Sequence, residues 1–162
     1  MFRLTTGIFR HLAYCTGLIA CIGTVTMAAE LKWHFYASED VAQAFFSDCT
    51  NCDGARFSAV CTKGQTVTLI PTMNVKGGKA GETRNVTFLF GDGAVDVKGE
   101  LVANDMDGTI EPEVAIPIDH EILQHMRNFE SVEVMVDRGP ALVVSLKGAD
   151  TVISKLQAYC RD

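Results

Sequence analysis

Basic side chains are scarce in this sequence. Lys and Arg number 14 against 20 Asp and Glu, a formal charge of −6, and they form no run. Nucleic acid and anionic lipid are both bound through Lys and Arg, so neither is an expected partner. Long apolar runs are absent beyond the start of the chain. Even there, residues 12–25 carry no charge over a stretch shorter than the roughly 20 residues of a bilayer span.

Motifs of catalysis are missing too. No nucleophile elbow places Ser, His and an acid, and no glycine pattern for phosphate follows a strand and opens a helix. His120 and His125 stand five apart, about 140° around a helix, so they do not share the face that a zinc ion needs. They read as surface histidines. In residues 104–111, placing Gly108 at the glycine of a calcium loop puts Ala103 on the first ligand and Val114 on the last, so this acidic stretch reads as a hairpin tip. No metal and no cofactor is expected.

What the chain does carry is an exit address. Arg3 and Arg10 precede the uncharged run, and Thr26, Ala28 and Ala29 supply small residues at its end, the pattern of an export signal. Residues 1–28 are then a signal peptide and residues 29–162 a single β-rich domain of roughly 130 residues, enough for one core. Leu18-Ile19-Ala20-Cys21 resembles a lipobox, which would anchor the chain by a lipid at Cys21. The sequence stays apolar past Cys21 as far as Glu30, which favours soluble export. Loss of the leader leaves 12 basic residues against 20 acids and a charge of −8.

The domain alternates apolar and polar residues in short runs: 57–61, 66–70, 85–90, 95–102, 132–136 and 141–146. Such alternation buries one face of a strand, and Gly, Asp and Asn between the runs make turns. Short links favour antiparallel neighbours and a meandering sheet. Residues 74–82, with three glycines and two lysines, read as a mobile loop. Residues 119–127 place Ile122, Leu123 and Met126 on one helical face, and residues 148–159 do so with Val152, Ile153, Leu156 and Tyr159. The expected fold is mainly β (α+β): an antiparallel sandwich or meander with two short helices, the C-terminal one packed on the sheet.

Four cysteines outlast the leader: Cys49, Cys52, Cys61 and Cys160. An exported chain with an even count implies two disulfides, and spacing leaves three connectivities open. Cys61 ends a strand and Cys160 ends a helix that must pack on the sheet. A bond between them closes a loop of about 100 residues, for about 4–5 kcal/mol in the chain-entropy model. Cys49 and Cys52 then pair locally, as a staple or as a redox pair. Asp48 and Asp53 flank them and oppose a thiolate, which favours the staple.

The aromatic start Trp33, Phe35 and Tyr36 packs a first strand or offers a binding surface. The order of features, an exported start, a tryptophan strand, FSAVC, then SLKG and ADTVISKLQAYC, is similar to small periplasmic proteins of Gram-negative bacteria. The ending resembles the invasion-associated locus B family and the type VI secretion-associated VasI-like proteins. That resemblance implies a β-rich periplasmic domain, supports the Cys61–Cys160 pairing and carries no catalytic residue. The expected role is a non-catalytic binding or accessory protein for an envelope partner, met at a sheet edge or at the aromatic start. Thiol-disulfide exchange at Cys49 and Cys52 is the alternative. Mass spectrometry of the exported protein is expected to find Ala29 or Glu30 at its N-terminus; a lipidated Cys21 would overturn this reading.

Overall fold

The computed structural model describes residues 30–50, 54–62, 64–91 and 93–161. The export segment, Cys21 and Cys52 lie outside the described residues. The six alternating runs become β3 (Phe57–Cys61), β4 (Thr66–Pro71), β5 (Thr83–Phe90), β6 (Gly93–Asn104), β8 (Ser131–Val136) and β9 (Leu142–Ser145). The aromatic start becomes β1 (Lys32–Ala37), and β2 (Ala42–Ser47) and β7 (Thr109–Pro117) are strands that the alternation did not single out. Helix α1 (Glu121–Asn128) joins β7 to β8, and α2 (Ala149–Arg161) follows β9.

Among the described residues these strands form one sheet in the order β1-β2-β3-β4-β7-β6-β5-β8-β9. Every neighbouring pair is antiparallel. The meander therefore runs in three stretches rather than one. The block β5 to β7 is reversed, because the link from β4 to β5 and the link through α1 are long enough to pass over neighbouring strands.

Strand β7 is the hinge of this arrangement. Its first half pairs with β6 and its second half, from Val114, with β4. Proline is rare in a central strand because it lacks an N–H, yet Pro112 sits here opposite Leu101. Leu101 gives its own N–H to Glu82 and accepts from Gly81, so it faces β5, and the Leu101–Pro112 pair exchanges no ladder bond. On the other side, continuing the β4 register would set Pro112 against Pro71, and the ladder stops at Leu69–Val114. Gly99 completes the crowding. A Cβ there would meet Val86 at 2.9 Å and the Glu113 carbonyl at 3.0 Å.

The inner face of both halves feeds one core. Phe46, Phe57, Val67 and Leu69 share it with Val86, Phe88, Phe90, Val134 and Val144. Trp33, near the start of β1, donates its indole N–H to the Ser145 carbonyl of β9 at 2.7 Å. The first and last strands of the sheet are thus brought together.

Both helices lie where the sequence predicts them, and their apolar faces enter this core through Ile122, Leu123 and Met126 of α1 and Val152, Ile153 and Leu156 of α2. The His120 ring caps α1 by accepting from the Ile122 N–H at 3.3 Å. The Arg127 guanidinium ties α1 to α2 through Asp150 at 2.8 Å, and the buried Gln157 amide donates to the Ile118 carbonyl at 2.8 Å. Cys160, in the last turn of α2, is bonded to Cys61 at the end of β3, with Cα atoms 6.1 Å apart.

The stretch 74–82 departs from expectation. Its backbone is tied to the sheet by Val75 N–H to the Ile110 carbonyl and by Gly81 N–H to the Leu101 carbonyl. Glycine at 78 makes the close fit possible, since a Cβ would come within 2.5 Å of Leu101. Composition alone suggested a mobile loop, but Gly78 serves close approach, while Gly77 (φ 77°) and Gly81 (φ 84°) take left-handed backbone.

The Cys61–Cys160 bond spans 99 residues, so its loss is expected to matter. Replacing both with Ala should lower stability by about 2–5 kcal/mol, read as a lower urea midpoint. An unchanged midpoint would show that α2 holds without its tether.

Candidate functional site

The aromatic start divides among three environments. Trp33 is buried, with Phe46 and Phe57 rings at 5.7 and 6.0 Å, so it is a core residue and not part of a binding surface. Phe35 is half-buried against the core, with the Lys155 ammonium 6.0 Å from its ring centre. Tyr36 alone of the three is well exposed, at 55%. The physical reason is the period of two: Trp33 and Phe35 point inward and Tyr36 points out.

The outer face of β1 and β2 holds a feature that the sequence reading passed over. His34 is buried and stacked on Phe45, centroids 5.2 Å apart, and its Nε2 has no hydrogen-bond partner among the described residues. On the same face Gln43 donates to the Ser58 hydroxyl at 3.0 Å. At the end of β2 the buried Ser47 hydroxyl donates to the Cys49 carbonyl and accepts from the Cys49 N–H. This pins the start of the cysteine loop to the sheet. Cys49 is disulfide-bonded, while the expected Cys49–Cys52 pairing reaches outside the described residues. Residues 48–50 and 54–56 are not helical, so they provide no helix N-terminus to favour a thiolate.

The other sequence candidates resolve into structural tasks. His125 packs between Phe90 and Phe129, at 5.1 and 5.4 Å, while His120 caps α1. The acidic stretch 104–111 closes the hairpin between β6 and β7, with the Asn104 side chain accepting from the Met106 and Asp107 N–H groups.

The two sheet edges differ. The Ser38 N–H to Val41 carbonyl bond fixes the β1–β2 register, so Trp33, Phe35 and Ala37 turn their main chain away from β2. Helix α2 runs beside this strand: Lys155 lies over Phe35, and the Tyr159 hydroxyl is shared between the Ser38 and Glu39 carbonyls, at 3.0 Å each. Burial, together with Asp40 and Glu39, raises the Tyr159 pKa above its ordinary value.

At β9 the Leu146 N–H to Glu130 carbonyl bond sets the opposite parity. Leu142 and Val144 bond to β8, and Val143 and Ser145 face the open side. Trp33 takes the Ser145 carbonyl. The Val143 N–H and C=O and the Ser145 N–H are left without a strand among the described residues. The Val143 side chain is 59% exposed. Native edges are guarded by charge, proline or a covering element, and β9, reading LVVS, has neither charge nor proline. Its four residues of uncharged alternation were the signal in the sequence, but which strand would be an edge was not legible there.

Across the molecule, the turn from β8 to β9 is built from two left-handed residues, Asp137 (φ 47°) and Arg138 (φ 62°), a conformation that costs non-glycine residues about 1–3 kcal/mol each. Gly139 donates to the Val136 carbonyl at 2.8 Å, and a Cβ on it would come within 2.9 Å of that oxygen. The Asp137 carboxylate holds the turn by accepting from the Asn85 N–H and from Arg84 at 3.2 and 3.0 Å. Arg84 also grips Glu82, whose carboxylate accepts from the Lys79 N–H at 3.3 Å. The hydrogen bond from Arg84 is the main reason the Glu82 pKa lies below its ordinary 4.5.

These features define an antiparallel β domain whose curved sheet is closed by a disulfide-anchored helix. Among solved structures, the fold is similar to that of invasion associated protein b from Bartonella henselae, with a TM-score of 0.52 and 14% identity over 80% of this chain and 94% of that one. No family model matches the sequence, and no curated protein does.

Because Glu82 is held below its ordinary value, its latch contributes above pH 4.5 and is lost as pH falls through the lowered value. The Lys79 amide shift is expected to titrate with a midpoint below 4.5 and to stop doing so in Glu82→Gln. The same titration in both proteins would show that Glu82 is not the group responsible.

Proposed function

We propose that this chain is an exported, periplasmic, non-catalytic binding or accessory protein, a distant relative of the invasion-associated locus B and VasI-like proteins, that takes up an extended segment of an envelope protein along β9. The observation that carries this reading is the open edge at Val143 and Ser145. Unpaired N–H and C=O groups at strand spacing are matched by another extended polypeptide, with main-chain bonds supplying affinity and alternate side chains supplying selectivity. The Cys61–Cys160 bond is in keeping with an oxidising compartment, and residues 29–162 act as one domain in this reading.

A second reading, thiol-disulfide exchange at Cys49 and Cys52, is favoured by His34. Its ring nitrogen, without a partner among the described residues, is buried on the face to which Ser47 pins the cysteine loop, and cross-strand diagonal neighbours there lie within about 8 Å. An imidazole beside a thiol pair can accept and return its proton. The absence of a helix in residues 48–50 and 54–56 weighs against it.

The test uses hexapeptides selected from a random library on the exported protein. Val143→Pro removes the outward N–H and leaves the β8 ladder untouched, so it is expected to keep the melting temperature within a few degrees and to weaken the selected peptides at least tenfold. Equal binding by the variant, or robust turnover in a broad hydrolase screen, would overturn the strand-docking reading. Insulin reduction that is lost in Cys49→Ser would move the second reading to first place.

A further inference from the structure

Beyond strand docking, the geometry points to a second binding site, for a small amphiphilic carboxylate, in the cavity between the 74–82 connection and the β8–β9 turn. This cavity, of about 250 Å³, is lined by the apolar Met73, Val75, Val136 and Pro140 and by the charged Lys76, Arg84 and Asp137. It is enclosed on two sides by segments that the structure holds firmly. Val75 is bonded to Ile110, Gly81 to Leu101 and Asp137 to Asn85. The site is therefore formed before any ligand arrives, as small-molecule sites usually are.

Charge selects the ligand. The chain as a whole is acidic, at −6, but the segments 73–84 and 136–140 hold Lys76, Lys79, Arg84 and Arg138 against only Glu82 and Asp137. Of these charged residues, folding brings Lys76, Arg84 and Asp137 to the cavity lining. Arg84 uses Nε and Nη2 on Glu82 and Nη1 on Asp137, three of its five N–H groups, so two remain to donate to an incoming acid. Those acids also hold the guanidinium still. Lys76 makes no ion pair among the described residues, and its ammonium is the mobile second donor.

Size selects further. At about 250 Å³ the cavity falls below the roughly 300–1,000 Å³ of sites for drug-sized ligands. It suits a short aliphatic chain or a single ring ending in a carboxylate. The larger hollow between α1 and α2, about 570 Å³, is lined by polar side chains such as Asp119, Gln124 and Asn128, and its Arg127 is paired with Asp150, so it lacks the apolar wall.

The test is titration of the full exported protein with octanoate, and with octylamine and octanol as controls, followed by amide chemical shifts. Octanoate is expected to shift Val75, Lys76, Val136 and Gly139 saturably, and octylamine to leave them in place. Lys76→Glu, on an exposed position, should weaken octanoate at least tenfold, and Asn74→Trp, which fills the mouth, should abolish the shifts. No saturable shift with octanoate, equal binding of octylamine or octanol, or full binding by Lys76→Glu would overturn the proposal. Val143→Pro should leave octanoate binding unchanged, so this site and the β9 edge stand or fall separately.

Discussion

The rest of the structure depends on holding α2 against the sheet. Among the described residues, the inner face of the sheet and the apolar faces of both helices form one buried core. Val152, Ile153 and Leu156 complete it. Ties that keep them there include the Cys61–Cys160 bond, the Gln157 amide on Ile118 and the Arg127–Asp150 pair, beside the Tyr159 hydroxyl on the β1–β2 turn. They are unequal. The first restricts the unfolded chain over a long loop, the second satisfies a buried amide, and the third is a surface ion pair worth at most about 1 kcal/mol.

The same closure makes the two edges of the sheet unlike each other. An antiparallel sheet that is not a full barrel ends in two rows of unpaired backbone groups. Here one row, on β1, has α2 as its companion, since Lys155 and Tyr159 reach Phe35 and the β1–β2 turn. The other row, on β9, meets among the described residues only the Trp33 indole, which takes one carbonyl. That asymmetry supports β9 as the docking edge, and it follows from chain order. The helix emerges from β9, and leaving that strand it travels along β1.

Electrostatics work on a smaller scale. The net negative charge serves solubility and says nothing of fold. What matters is the local exception around Arg84, where two acids position a cation instead of cancelling a patch. Glu82 and Asp137 come from the loop before β5 and the turn after β8, so Arg84 clasps together two segments that the topology sets side by side. The left-handed Asp137 and Arg138 persist because this clasp and the Asn85 N–H hold the turn.

Local periodicity determined most of the strands, though not β2 or β7, the two amphipathic helices and the expectation that a cysteine at a strand end would meet one at a helix end. These depend on which face each residue occupies, and that is written in spacing of two or of 3.6. The sequence by itself could not determine that Pro112 would stand in a central strand without loss, because its missing N–H matters only once Pro71 is known to lie opposite. Nor could it find the buried His34 ring or bring Lys76 and Arg84 to one cavity. Each of those depends on strand order, and strand order is decided by contacts between residues far apart in the chain. Only the tertiary structure supplies that register, because burying one continuous core is a property of the whole sheet and of no single segment.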